Sequence, residues 1–420
     1  MTERLLQFIW QFQYFNKNEL LTTNGEPVQI IHPGTLNTHQ GPDFLNAKVI
    51  IGNTTWAGSV ELHIQSSQWR MHGHQHDKNY NNVMLHVVCE DDQPQNKIAV
   101  PVIELKQRIS NILLSKYAEL MNNNSFIPCQ NSIQLVNQLT WHGWMDRLLA
   151  ERLLRKSQTV ISFLQQTNNN WEEAFWWLLA RNFGMPVNAD AFEQMARTIP
   201  VKLLAKHKNQ LHQLEALLLG QAGLLQHDFE EDYPIMLKKE YIFLQKKYKL
   251  QPIHITPLFL RMRPGNFPTI RLAQLAMLVQ NSSHLFSKIK EAGGIDEIKQ
   301  WLNVTANDYW HYHYRLDESS GFKKKNIGVA MINNIIINTV VPVLFAYGEF
   351  HSELHFKDKA LKWLEDISAE KNTITTGFVN LGKENKNAYD SQAMIQLKNE
   401  YCNKKRCLEC SVGNAIIRSV

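Results

Sequence analysis

Two apolar runs, FLNAKVII and TTWAGSVELHI, meet at Gly52-Asn53, and no other feature of the chain limits its fold as tightly. Glycine and asparagine tolerate positive φ, which a two-residue hairpin turn requires, so the runs are expected to pair as antiparallel strands. Side chains two apart in a strand share a face. Glu61 and His63 therefore project together while Leu62 points the other way. Pairing centred on the turn also brings Asp43, at the head of the first run, toward Glu61 and His63 at the end of the second.

The hairpin sits among further β-rich runs (VQIIH, NVMLHVV, AVPVIEL) separated by Gly, Asn, Asp and Pro between about Val28 and Leu105. An amphipathic N-terminal helix precedes them and KQRISNILLSKYAELM follows as another. From Ile133 to Gln300 helical spacing takes over, in segments such as WEEAFWWLLARNFG and YPIMLKKEYIFLQKKY. The fold class is α+β: an N-terminal mixed sheet flanked by helices, a mostly helical domain, and a C-terminal helical segment with a cysteine cluster. At 420 residues the chain exceeds one core, and the boundaries are placed at 1–125, 126–300 and 301–420. The loop NNNSFIPCQN supplies the first boundary.

Charge decides little. A net +5 tolerates a polyanion without demanding one. The N-terminus lacks the basic flank, apolar run and cleavage site of a signal peptide, and five unevenly spread cysteines do not form a secreted scaffold. A cytoplasmic location is expected. The uncharged segment from Ile327 to Tyr347 is long enough to cross a bilayer, but Asn333, Asn334, Asn338 and Pro342 favour a buried core helix. No membrane association is expected. Walker, Rossmann, nucleophile-elbow and zincin motifs do not occur.

A carboxylate pair suits Mg²⁺, which takes one or two such ligands and leaves other positions to water and phosphate. Pro42-Asp43 followed by Glu61-x-His63 resembles the PD-(D/E)xK nuclease superfamily, in which an Asp opening one strand of a hairpin and Glu-x-Lys on the next form the catalytic centre. The resemblance implies Asp43 and Glu61 as metal ligands and catalytic residues, His63 at the lysine position, and Glu19 as an auxiliary acid near the first helix. Histidine does not supply lysine's permanent charge. Lys48, on the partner strand, is a spatial substitute. Longer stretches, including IHPGTLNTHQGPDF, WRMHGH and RMRPGNFPTIRLAQLA, resemble an uncharacterised bacterial family of the DUF2851 kind, which carries no established activity.

Three other patterns bear on chemistry. WRMHGHQHDKNYNNVMLHVV gathers His72, His74, His76, Asp77 and His86, and the density of imidazoles invites a metal reading. Gly73 places this stretch in a turn, with His74 lining the same cleft toward substrate. RMRPGNFPTIR offers Arg261, Arg263 and Arg271 for phosphate and Phe267 for stacking on a base, or else a rigid interhelical turn with paired arginines. Lys323 to Lys325 form a phosphate contact or a solvated loop. Cys402, Cys407 and Cys410 form C-x4-C-x2-C and need a fourth ligand, for which Cys129 is the candidate; zinc or an iron–sulfur cluster fits such a set. Iron–sulfur members of the nuclease superfamily likewise join one distant cysteine to three near the C-terminus, in a different spacing and order. Cys89 reads as a buried small hydrophobe.

Two functions follow as expectations. One is a Mg²⁺-dependent nuclease acting on DNA or RNA, with His63 positioning water. The other is a noncatalytic nucleic-acid- or protein-binding module on the same scaffold.

Overall fold

The computed structural model describes every residue except 96–98, 261, 283 and 420. The chain divides into two compact units: residues 1–145 with 380–382 and 396–420, and residues 146–379 with 383–395.

The first unit is built on a mixed sheet. Helix α1 (Glu3–Phe12) is capped by Thr2, whose hydroxyl accepts from the Leu5 N–H, and buries Leu5, Leu6, Phe8, Ile9 and Trp10. The sheet follows in the order β1 (Val28–His32), β3 (Phe44–Ile51), β4 (Thr54–Gln65), β5 (Val83–Glu90), β6 (Val102–Glu104), with short β2 (Thr35–Leu36) also on β3. Strands β3 and β4 form the expected antiparallel hairpin, with Ile51 opposite Thr54 and Phe44 opposite Val60. A bulge between Phe44 and Ala47, with Asn46 at φ 58°, absorbs one step of register before Asp43.

Beyond the hairpin the sheet turns parallel. Strand β5 lies parallel to β4, placing His86 beside Glu61, and β6 is parallel to β5. A parallel strand covered on both faces reads as a nearly continuous apolar run. Val83 through Cys89 are accordingly all buried, and Val60, Leu62, Leu85 and Val87 are fully so. Each such side chain stabilises the fold by roughly 1.5–3 kcal/mol. The β4–β5 crossover holds the short helix α2 (Gln68–Met71) and two tight turns, His74–His76 and Lys78–Tyr80. Helix α3 (Asn111–Asn122) follows the sheet, and residues 396–420 join this same unit.

The second unit is helical, apart from a two-stranded ribbon, His313–Arg315 with Glu318–Ser319, where helix had been expected. Asp317, at φ 58°, makes the tight turn that the ribbon needs. The apolar segment forms one helix, Val329–His351, long enough to cross a membrane but with 72% of its most apolar window buried in the protein. One of its amides, Asn338, is used internally. Asn338 accepts from Lys156 at 2.8 Å, and a π turn at Ile336–Val340 leaves the Asn338 carbonyl free to accept from Asn182 at 3.0 Å.

At the centre of this unit, helix Leu211–Gln221 buries every residue from Leu214 onward. Glu215 is held there by Tyr233, Asn307 and the Trp310 indole, and burial still raises its carboxyl to about 7. A Cβ at Gly220 would stand 2.1 Å from the Tyr241 ring, so the helix Asp232–Tyr248 packs directly on bare backbone. Gly220→Ala is expected to cost about 1–3 kcal/mol by overpacking. Gly143, exposed in helix Gln138–Gln166 with nothing near its Cβ position, should behave oppositely, Gly143→Ala gaining up to about 1 kcal/mol. Urea unfolding midpoints of the two variants check the opposite signs.

Candidate metal centre

The register of β3 against β4 sets Asp43 beside Glu61, and each carboxylate accepts a backbone N–H from across the hairpin. The Asp43 backbone N–H donates to Glu61 Oε2 at 3.0 Å, and the Leu62 N–H donates to Asp43 Oδ2 at 2.9 Å. Gln7 of α1 donates to the other Asp43 oxygen at 2.7 Å. Burial drives both carboxyls upward, Asp43 to about 6 and Glu61 to about 8, the latter pushed further by the Asp43 charge. Glu3, one turn before Gln7, raises both. The acid contributed from the helix is thus Glu3. Glu19 lies past the helix, exposed at φ 48°, with its carbonyl accepting from Arg108.

Histidines close around Glu61. His63 Nε2 lies 3.6 Å and His74 Nε2 3.4 Å from Glu61 Oε1. His63 Nε2 also lies 3.1 Å from His72 Nδ1, while its Nδ1 is 2.9 Å from His86 Nε2. Donor atoms of His63, His72 and His74 all fall within 4.8 Å of one another. The β4–β5 parallel pairing brings His86 alongside, and the crossover turn carries His72 and His74 over the strand ends, as the glycine-containing stretch had suggested. Tyr80 stacks on His74 with centroids 3.8 Å apart, and Trp69 packs against His74 and His86. Burial and the neighbouring imidazoles depress His63 to about 2; burial, with His74, lowers His86 to about 3. These rings are neutral, the form in which imidazole binds metal.

His63 has both nitrogens engaged and is fully buried, so it does not reach out to orient water, the role expected of it. His74, whose buried Nε2 lacks a hydrogen-bond partner, faces Glu61 instead. Lys48 is exposed and opposite Ala57, roughly 13 Å along the strand from Glu61 at strand spacing, so it does not stand in for the missing lysine. Gln7, Glu3 and Tyr80 were not singled out from sequence. The i,i+4 spacing of Glu3 and Gln7 on an amphipathic helix was the available signal for two of them.

The arginine loop lies in the second unit. Arg261 falls outside the described residues. Arg263 is exposed beside the turn Pro264–Asn266. Arg271 is buried, donating to Asn266 at 2.6 Å and Gln274 at 2.9 Å, both neutral, with burial lowering it to about 10. Arg263, Arg271 and Lys323 line one open pocket. Phe267 packs on Phe259 and under Arg315, so its ring is already covered. Lys325 is buried over Tyr314.

The cysteines converge in the first unit. Cys129, Cys402, Cys407 and Cys410 are all buried and unbridged, and all four line one cavity. Cys89, also buried, lies elsewhere on β5, as a small hydrophobe would.

A family model described as a protein of unknown function matches residues 3–373. The chain belongs to the DUF2851 family. No curated protein and no solved structure matches it. The DUF2851 match takes in Asp43, Glu61, the four histidines and Cys129, whereas Cys402, Cys407 and Cys410 lie beyond the matched residues.

The titration of this cluster generates a pH signature. His63, His74 and His86 resist protonation when folded, so stability falls on the acid side of their ordinary range. The carboxyls titrate higher folded than unfolded, so their contribution is full below the unfolded values and is lost as pH rises through about 6 and about 8. Glu61→Gln does not ionise. In chelator, the wild type should lose stability between about pH 6.5 and about 9 more steeply than Glu61→Gln, measured by urea unfolding. Equal slopes would contradict the raised carboxyl.

Proposed function

We propose that the first unit is a divalent-metal-dependent phosphodiesterase acting on DNA or RNA. The observation that carries the reading is Glu61 Oε1 flanked by His63 and His74 nitrogens at 3.6 and 3.4 Å, with His72 Nδ1 3.1 Å from His63 Nε2. Ligands held about 2.0–2.1 Å from one ion stand about 3.0–3.4 Å apart, so these separations suit a shared ion with little movement. His63 would offer Nε2 while donating its Nδ1–H to His86, the arrangement that fixes the tautomer of a ligating histidine. The buried unpartnered Nε2 of His74 is a further donor in need of a cation.

Carboxylate alone would suit Mg²⁺; carboxylate with three imidazoles suits a softer first-row ion such as Mn²⁺ or Zn²⁺. A bound ion supplies a water of lowered pKa and stabilises charge on a phosphate oxygen. Asp43, tied to Glu61 through the backbone, keeps the second carboxylate beside that position. His74 is confined by Tyr80, and His86 orients His63. Phosphodiester substrate is supported by the PD-(D/E)xK-like order of Asp43 and Glu61 on one hairpin. Among the described residues no lysine contacts Asp43 or Glu61, which favours the second reading, a metal-bearing binding module without cleavage.

Cleavage of single- and double-stranded DNA and RNA in Mg²⁺ and in Mn²⁺ tests this. Asp43→Asn and Glu61→Gln should each lose on the order of 10²-fold or more, the scale of one transition-state contact. Undiminished activity in both variants would assign the chemistry elsewhere, and metal binding without any cleavage would select the binding module. Loss of the buried partner in His86→Ala should weaken Mn²⁺ affinity about 10–100-fold by calorimetry, while Lys48→Ala leaves it unchanged.

A further inference from the structure

Two long stretches of the second unit contain no acid: no Asp or Glu occurs between Glu240 and Glu291, and none between Glu318 and Glu349. Both stretches supply walls to the open pocket lined by Arg263, Asn266, Arg271, Lys323, Asn326 and Gly328. The pocket is cationic, and no carboxylate lines it.

Arg271 makes that imbalance costly. It is only 7% exposed, and its terminal nitrogens donate to the Asn266 and Gln274 amide oxygens, while Nε has no hydrogen-bond partner. Neutral amides satisfy hydrogen bonds but leave the charge uncompensated, and among the described residues no acid faces it. A buried charge is tolerated when it is paired. Nearby cations deepen the excess. Lys323 and Arg263 are exposed, with no ion pair among the described residues, and the buried Lys325 ammonium meets the His311 and Lys323 carbonyls and the Tyr314 ring instead of an acid.

We propose that this pocket binds a phosphate group, with Arg271 as its buried countercharge and Lys323 and Arg263 at its rim. Phosphate suits a guanidinium fork beside further cations. Because Asn266 Oδ1 is committed to Arg271 at 2.6 Å, the amide NH₂ of Asn266 is left as a donor. The helix Val329–His351 starts at Gly328 without a capping side chain, so its first N–H groups and positive dipole end remain available to an anion. A Cβ at Gly265 or Gly328 would meet nothing within 4 Å, which leaves both backbones open to a ligand.

The walls are held in place before any ligand arrives. Thr269 Oγ1 donates to the Tyr314 carbonyl at 2.5 Å, Gln274 Nε2 to the Lys325 carbonyl at 3.2 Å, and the Lys323 N–H to the His311 carbonyl at 2.8 Å. Aromatic faces beside the pocket are already taken, Tyr314 by Lys325 and Phe267 by Phe259 and Arg315. Neither ring offers a base a stacking platform. The ligand is therefore recognised through its phosphate, as the free anion or as an ester.

Calorimetric titration of the full-length protein with inorganic phosphate, in chelator so that no metal at the hairpin contributes, tests the site. Saturable binding that weakens as chloride rises is expected, and phosphate should raise the urea unfolding midpoint. The double variant Arg263→Ala/Lys323→Ala should keep the wild-type midpoint without phosphate and bind phosphate roughly tenfold or more weakly; Arg271→Gln should lose binding, and Lys48→Ala should retain it. Adenosine 5′-monophosphate should bind and adenosine should not. A monophosphate tighter than inorganic phosphate assigns an ester as the ligand, and equal affinity assigns the free anion. No binding at millimolar phosphate, undiminished affinity in the double variant, or adenosine binding as well as its monophosphate would each overturn the proposal. If Arg271→Gln does not fold, the double variant decides. Cleavage plays no part in the readout, so the outcome is separate from that at Asp43 and Glu61.

Discussion

The pair of hydrogen bonds by which the Glu61 carboxylate accepts from the Asp43 N–H and the Asp43 carboxylate from the Leu62 N–H is the contact on which the arrangement of the first unit's chemistry rests. Each carboxylate accepts from an N–H on the opposing strand, so the position of each acid is set by the same pairing that sets the strand register. The price is electrostatic: two acids share a buried site, and the charged form of each is disfavoured. Neutral imidazoles on the neighbouring strand and in the crossover turn complete a polar pocket that the apolar faces of β4 and β5 enclose. Such a pocket is costly when empty of charge compensation and cheap when a cation occupies it.

The hairpin was legible because its signals were local. The Gly52-Asn53 turn and strand alternation determine which residues oppose one another, and they alone place Asp43 near Glu61. Fold class followed from the same reasoning, through the change from strand-like to helix-like spacing. Glu3 and Gln7 were not legible, since their approach depends on how α1 packs over the sheet; His72 was grouped with the other histidines, but its place against His63 depends on how the crossover returns to β5. His63 shows the limit from the other side. Its face was read correctly, but its environment was not, because the parallel neighbour β5 buries both faces of β4 and places His86 against it.

Arg271 and Lys325 make a related point in the second unit. Basic residues in a polar-looking loop suggest solvent or phosphate, yet both side chains are buried, one on neutral amides and the other over a tyrosine ring. Long cationic side chains can hide their stems and even their heads when neutral acceptors are at hand. Spacing does not reveal this. The cysteines were more readable, since thiols brought together by a short motif carry their chemistry with them, and only the distant partner had to be chosen.

The first unit is discontinuous: residues 396–420 return to it after the whole second unit has intervened. Lys398 and Lys405 of that segment bind carbonyls at Phe126 and Met121, and Lys116 bonds to Ser419. On the ribosome, therefore, the sheet emerges early but waits for more than two hundred further residues before its final layer arrives. The helical unit can complete its own core during that interval. The start of the first unit is thus made before the second unit and its last segment after it, and the thiol-lined cavity closes only once the helical unit has been made.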